Sequence, residues 1–235
     1  DDLIVGAYTA DPNGPTSGSA YVVFGKSSTS AVELSTIETG EGDGFVINGA
    51  GLNDYVGRIV SNAGDVNNDG FDDLIIGSPD ADPNGTNSGS SYVVFGKNST
   101  SAVELSNIEE GEGGGFVING VDEADQSGFS VSNAGDINDD GLDDLIVGAY
   151  YADPNGDSSG STYVIYGTTS TSAIELSTIE AEGGGGFVIN GAGIYDKSGY
   201  SVSNAGDVNN DGINDIIVGV FNADPNGSKS GSSYV

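Results

Sequence analysis

Asp136-Ile-Asn-Asp-Asp-Gly-Leu-Asp-Asp-Leu-Ile-Val-Gly-Ala149 joins two signals that decide how the chain folds. Its first nine residues are an acidic, glycine-containing loop. The next few are a β-rich apolar run short enough to be a buried strand. The same pairing recurs 71 residues earlier as Asp65-Val-Asn-Asn-Asp-Gly-Phe-Asp-Asp73 and 71 residues later as Asp207-Val-Asn-Asn-Asp-Gly-Ile-Asn-Asp215. Tyr21, Tyr92, Tyr163 and Tyr234 keep that interval, as do Phe45, Phe116 and Phe187, with no insertion or deletion. A fixed period of this size means one supersecondary unit stacked on copies of itself.

Within a unit, Gly128 to Gly135 alternates apolar and polar residues as a short strand does. The acidic loop and the Leu145 to Tyr150 strand follow. Asp153-Pro-Asn-Gly156 is a turn, because Pro presets φ and Asn-Gly tolerates positive φ. Ser161 to Gly167 reads as a third strand and Phe187 to Gly191 as a fourth, with Ile174 to Ile179 an apolar tuck beneath the sheet. Four short antiparallel strands per unit are the pattern of a β-propeller blade. A solenoid usually has shorter coils, and a string of sandwiches wants about seven strands per domain. The expected fold is therefore all-β, with blade boundaries at 1–56 (first strand absent), 57–127, 128–198 and 199–235 (last strand absent). Asp1-Asp2-Leu3-Ile4-Val5-Gly6 matches Asp72-Asp73-Leu74-Ile75-Ile76-Gly77, so the chain reads as starting at the tail of an acidic loop. Neither end looks like the atypical cap of a repeat array, so the array is expected to continue, around a ring or along a fibre.

Each loop offers only oxygen ligands, at positions 1, 3, 5 and 9, with a glycine at 6 for the sharp turn. That donor set suits a hard cation. The expected sites are Asp65, Asn67, Asp69 and Asp73 with the Phe71 carbonyl; Asp136, Asn138, Asp140 and Asp144 with the Leu142 carbonyl; and Asp207, Asn209, Asp211 and Asp215 with the Ile213 carbonyl. The eighth position is Asp72, Asp143 or Asn214, so it is no obligatory charged ligand. An EF-hand would need a bidentate Glu at position 12, where Ile76, Val147 and Val218 stand. Asx-rich hairpin turns with no ion are the rival reading, in which three carboxylates repel without compensation. Oxygen number and flexibility favour Ca2+ over Mg2+, one ion per loop and three in all, pinning the turn between first and second strands.

Ala134-Gly135-Asp136 through Ala149, followed by Gly160-Ser-Thr-Tyr-Val-Ile-Tyr-Gly167, resembles the FG-GAP repeat. The family includes the propeller of integrin α subunits and many bacterial surface and secreted proteins. The Phe-Gly pair of the name appears as Gly128-Phe129 and Gly199-Tyr200, but as Gly57-Arg58 in the first full unit. The other element reads Gly148-Ala-Tyr, Gly77-Ser-Pro79 and Gly219-Val-Phe. The resemblance implies calcium-stabilised propeller blades whose inter-blade loops meet protein or glycan partners in adhesion.

Composition sets limits on function. Thirty-six acids against five lysines and arginines leave a net charge of −31. That opposes binding to nucleic acid phosphates and to anionic lipid, and favours cations that relieve the repulsion. With no Cys and no His, thiolate chemistry and the usual general base are absent. No run approaches the ~20 apolar residues of a membrane span. Residues that break the repeat (Tyr55, Arg58, Pro79, Lys197) form no acid–base or nucleophile set, so no enzyme activity is expected. The acidic stretches at Glu38, Glu109 and Glu180 read as solvated loops, and Glu33, Glu104 and Glu175 as surface residues. Asp54, Asp125 and Asp196 read as Asx-turn or capping residues, and the Tyr/Phe ladder as packing between blades. Asn84, Asn98 and Asn226 match the N-glycosylation pattern. The expected function is a non-enzymatic, extracellular, calcium-binding module for adhesion at the cell surface, bound to a protein or glycan and to further blades or copies. The alternative is a structural subunit of an extracellular filament or sheath.

Overall fold

In the computed structural model, which describes residues 2–235, each repeat forms its own small sheet. The first contains β1 (Leu3–Ala7), β2 (Ser19–Val23), α1 (Leu34–Glu38) and β3 (Gly44–Asn48). The second contains β4 (Ile59–Gly64), β5 (Asp73–Ser78), β6 (Ser90–Val94), β7 (Val103–Glu104), α2 (Leu105–Glu109) and β8 (Gly115–Asn119). The third runs β9 (Ser130–Gly135), β10 (Asp144–Ala149), β11 (Ser161–Ile165), β12 (Ile174–Glu175), α3 (Leu176–Glu180) and β13 (Gly186–Asn190). The fourth holds β14 (Ser198–Gly206), β15 (Asp215–Val220) and β16 (Ser232–Tyr234). The four-stranded, antiparallel, propeller-like blade expected from the alternation is present, complete in repeats two and three.

The apolar tuck is a more elaborate structure than the sequence predicts. In the second repeat it is β7, which leaves its own blade and pairs in parallel with β3 of the preceding one; β12 joins β8 in the same way. A single helical turn follows each of them. Five residues cannot hold a helix on propensity alone. Leu105 with Ile108, and Leu176 with Ile179, lie three apart on one face and are buried. Leu105 and Ile108 share a core with Phe45 and Ile47 of the blade before, and Leu176 and Ile179 with Phe116 and Ile118. The core thus lies between blades, and the tuck seals the first–second and second–third interfaces.

Backbone contact closes interfaces near the first strands. A Cβ on Gly77 would stand 2.0 Å from the carbonyl oxygen of Gly128 in the next blade, and one on Gly148 would stand 2.1 Å from that of Gly199. Only glycine permits this approach.

Candidate metal centres and the opposite rim

Each acidic loop begins at a bulge. The register of β4 on β5 shifts between Asn62 and Gly64, and β14 on β15 shifts between Asn204 and Gly206. The side-chain oxygen of Asn62 accepts the Gly64 N–H at 2.5 Å, and Asn133 and Asn204 repeat the contact with Gly135 and Gly206. The bulge turns the following loop out of the sheet. The loop then curls through left-handed residues: Asn68, Asp139 and Asn210 have φ of 58°, 59° and 62°, and Gly70, Gly141 and Gly212 come two residues later at 89° to 94°. The glycine was legible in the sequence. The Asn or Asp at position 4, whose side chains tolerate this region, is a second signal of the same turn.

This curl brings the expected side chains onto the loop's own backbone. Asp65 accepts the N–H groups of Asp69 and Gly70, both at 3.0 Å; Asn67 accepts from Asp69 at 2.8 Å; Asp69 accepts from Phe71 at 2.9 Å. Asp136, Asn138 and Asp140 repeat the pattern, as do Asp207, Asn209 and Asp211. The ninth residue ties down the loop's base. Asp73 accepts from Val66 at 3.0 Å and Gly96 at 2.7 Å, and Asp144 from Ile137 and Gly167. Asp2 accepts from Gly25 at 2.7 Å, as a ninth residue should; Asp1 lies outside the described residues. Among the described residues no three carboxylates are gathered closely enough to cage an ion. The donor chemistry nevertheless fits one, since each loop brings two carboxylates and an amide oxygen together above its ninth-position aspartate, which is buried in the first two complete loops.

Burial leaves that aspartate electrostatically uncomfortable. Asp73 and Asp144 are fully buried. Desolvation pushes Asp73 up to about 7, against the pull of its two backbone N–H donors and with added repulsion from Asp69 and Asp65. Asp144 is raised for the same reasons, desolvation first. A cation at the loop would offset this cost. Neighbouring loops also touch: Asp143, at the variable eighth position, accepts the Asp65 N–H at 2.9 Å and returns its own N–H to the Asp65 carbonyl at 3.2 Å. That position links loops between blades.

The opposite rim revises the reading of Glu104 and Glu175. Glu104 accepts from Asn48 at 2.7 Å and Asn13 at 2.9 Å, both in the preceding blade. Glu175 accepts from Asn119 at 2.7 Å and Asn84 at 3.1 Å. These glutamates clamp the blades together, and only Glu33 is a plain surface residue. The Asn84 amide also donates to Gly120 O at 2.8 Å, so this acceptor motif carries an amide already in use. Glu38, Glu109 and Glu180 accept the hydroxyls of Tyr21, Tyr92 and Tyr163, which gives the acidic stretches a partner in the sheet. Tyr92 and Tyr163 are buried, in keeping with the packing role expected of the ladder. Asp54 accepts the Gly51 N–H at 2.7 Å and Asp125 that of Asp122 at 3.3 Å, the turn role expected of them.

Aromatic side chains from β9, β10 and β14 and the residues beside them converge on this rim. Phe129 packs tilted against Tyr150 with ring centres 4.3 Å apart, and Tyr200 against Phe221 at 4.2 Å. Two of the chain's few cations sit over them, Arg58 5.6 Å from Phe129 and Lys197 4.1 Å from Tyr151. Arg58 also pairs with Asp80 at 3.4 Å. Of the repeat-breaking residues, Arg58 and Lys197 therefore serve cation–π packing.

Strand, bulge, acidic loop, strand and turn in fixed order define a repeat class. The family model described as FG-GAP repeat matches residues 56–94, 127–165 and 198–235, each span running from the first strand through the loop toward the third. The chain belongs to the FG-GAP repeat family. Among curated proteins it is similar to integrin alpha pat-2 of Caenorhabditis elegans, 34% identical over 195 residues covering 77% of this chain and 14% of that protein. It is also similar to integrin alpha-4 of Xenopus laevis, 30% identical over 181 residues, covering 77% of this chain and 16% of that one. Integrin alpha-6 of Homo sapiens is 29% identical over 175 residues, covering 74% and 13%. The chain thus spans only a small part of the length of these relatives. Among the described residues no helix is long and apolar enough to cross a membrane.

Proposed function

We propose that this chain is a calcium-stabilised binding module that works outside the cell, holding a protein or glycan partner on its blade loops and performing no catalysis. The observation that carries the reading is the threefold acidic loop, with carboxylates ordered above an aspartate that is fully buried in the first two copies. Asp65, Asn67, Asp69, Asp73 and the Phe71 carbonyl would hold one ion. Asp136, Asn138, Asp140, Asp144 and the Leu142 carbonyl would hold a second, and Asp207, Asn209, Asp211, Asp215 and the Ile213 carbonyl a third. Bound there, Ca2+ would supply the positive charge that the loop lacks and fix the link between first and second strands. Family membership supports a role in adhesion. The aromatic and acidic rim, with Tyr151, Asp153, Asp157 and Tyr195 lining one cavity, is the surface we assign to the partner.

Equilibrium dialysis with Ca2+ tests the metal reading. Three ions per chain are expected, and two for Asp140→Ala. Thermal stability and protease resistance that do not change on chelation would overturn it.

A further inference from the structure

In the second and third acidic loops the eighth residue faces the loop one blade back. Asp143 belongs to the second loop, yet its carboxylate crosses to the first. There it accepts the N–H of Asp65, the residue that opens the first set of candidate ligands, at 2.9 Å. The Asp143 N–H returns to the Asp65 carbonyl at 3.2 Å, so the crossing is held at two points. Just upstream, the Asn133 side-chain amide donates to the Ala63 carbonyl at 2.5 Å. A Cβ on Gly64 would lie 2.1 Å from Asp143 Oδ2, so glycine keeps open the space this carboxylate fills.

Asn214 takes the same place one blade further on. Its Nδ2 would lie 1.9 Å from a Cβ on Gly135, the residue before Asp136. The two crossings share a shape and differ in charge: a carboxylate reaches the first loop, a neutral amide the second. The two loops otherwise offer the same ligand set, Asp, Asn and Asp at positions 1, 3 and 5 and Asp at 9. Asp143 and Asn214 are both partly buried, where a charge is screened less than on open surface.

The acids within one loop are therefore not the whole charge that its site feels. Cation affinity in oxygen-ligand loops is tuned by the charge gathered there, and a nearby unit charge acts in the same sense through space. We infer that the eighth residue tunes the cation affinity of the loop one blade back. Asp143 strengthens the Asp65–Asp73 site, and Asn214 leaves the Asp136–Asp144 site without that added charge. In the empty loop Asp143 adds to the repulsion around Asp65 and Asp69, and a bound cation relieves it. Asp143 is a positioning residue, because it acts through the Asp65 backbone and its own charge. The tuning rests on the loops binding Ca2+ as proposed above.

A Ca2+ titration of the 15N-labelled chain, followed by NMR at the Gly70 and Gly141 amides, reads the two sites separately. Each glycine donates to the first aspartate of its own loop. Asn214→Asp should lower the Gly141 midpoint about tenfold, the scale of one unit charge added near a divalent ion, and leave the Gly70 midpoint in place. Asp143→Asn keeps the shape and an acceptor oxygen, and should raise the Gly70 midpoint by a similar factor. An unmoved midpoint in either variant would overturn the tuning. So would an Asp143→Asn effect confined to Gly141, because the eighth residue would then serve its own loop. If neither glycine responds to Ca2+ in the parent chain, the calcium reading itself falls and the tuning with it.

Discussion

Asp125 shows what a single residue costs in a chain this acidic. It is 8% exposed, and its carboxylate receives one long hydrogen bond, from the Asp122 N–H. Desolvation, with the charges of Asp122, Asp153 and Glu180 adding to it, pushes the group up to about 6. An unfolded aspartate titrates near 3.9. The folded state therefore binds the proton more tightly, and stability is lost as pH rises from about 4 through about 6. Asp125→Asn keeps the acceptor oxygen and removes the charge. It should stabilise the chain by about 1 kcal/mol at pH 7, discounted from the full shift for screening by solvent, and by nothing at pH 4. Urea unfolding at the two pH values checks this. A variant no more stable than the parent at pH 7 would show that Asp125 contributes more through its contacts than its charge costs.

The blade joints are where element-scale predictions belong. Glu175 satisfies amides on two different segments of the preceding blade, while Glu33 is exposed and has no such partner among the described residues. Glu175→Ala should therefore cost about 1–3 kcal/mol, and Glu33→Ala should stay within about 0.5 kcal/mol of the parent. Equal effects would mean that the clamp contributes nothing. Gly77→Ala should be severe, because its Cβ would meet the rigid Gly128 carbonyl at 2.0 Å. Gly219→Ala should be milder, because the nearest obstacle is the Ser201 hydroxyl, which can rotate away. Thermal melts of the pair rank them directly. These joints also mark how far the sequence could be read. Strands and acidic loops announce themselves through alternation and turn chemistry, which are local. The clamp joins Glu175 to Asn119 and Asn84, 56 and 91 residues away, and no local pattern encodes such a distance. The single-turn helices escaped for a related reason: five residues are too few to display a helical period, and what marks them is the burial of Ile37, Ile108 and Ile179 in the packed core.

At the scale of the molecule the question is whether the blades behave as one body. Three sorts of contact cross the interface between the second and third blades: the glycine approach, the glutamate clamp, and the Asp143 bridge between acidic loops. In repeat proteins, stability is the sum of unit and nearest-neighbour terms, and strong neighbour terms make units melt together. The charge works against this, since 36 acids face five basic side chains. Sodium should relieve the repulsion only by screening, whereas site-bound Ca2+ should stabilise by mass action, about 2.7 kcal/mol per site at a hundredfold excess over its dissociation constant. At matched ionic strength Ca2+ should thus raise Tm well above the value in NaCl, and the gain should continue only logarithmically once the sites are filled. Asp140→Ala then separates the coupled from the uncoupled molecule. With strong joints, loss of one ion lowers a single calorimetric transition for the whole chain. With weak joints, the third blade melts early and alone while the others keep the parent Tm. The Asp65–Asp143 bridge runs into the very loop that Asp140→Ala would loosen, so the expected outcome is the single, lowered transition.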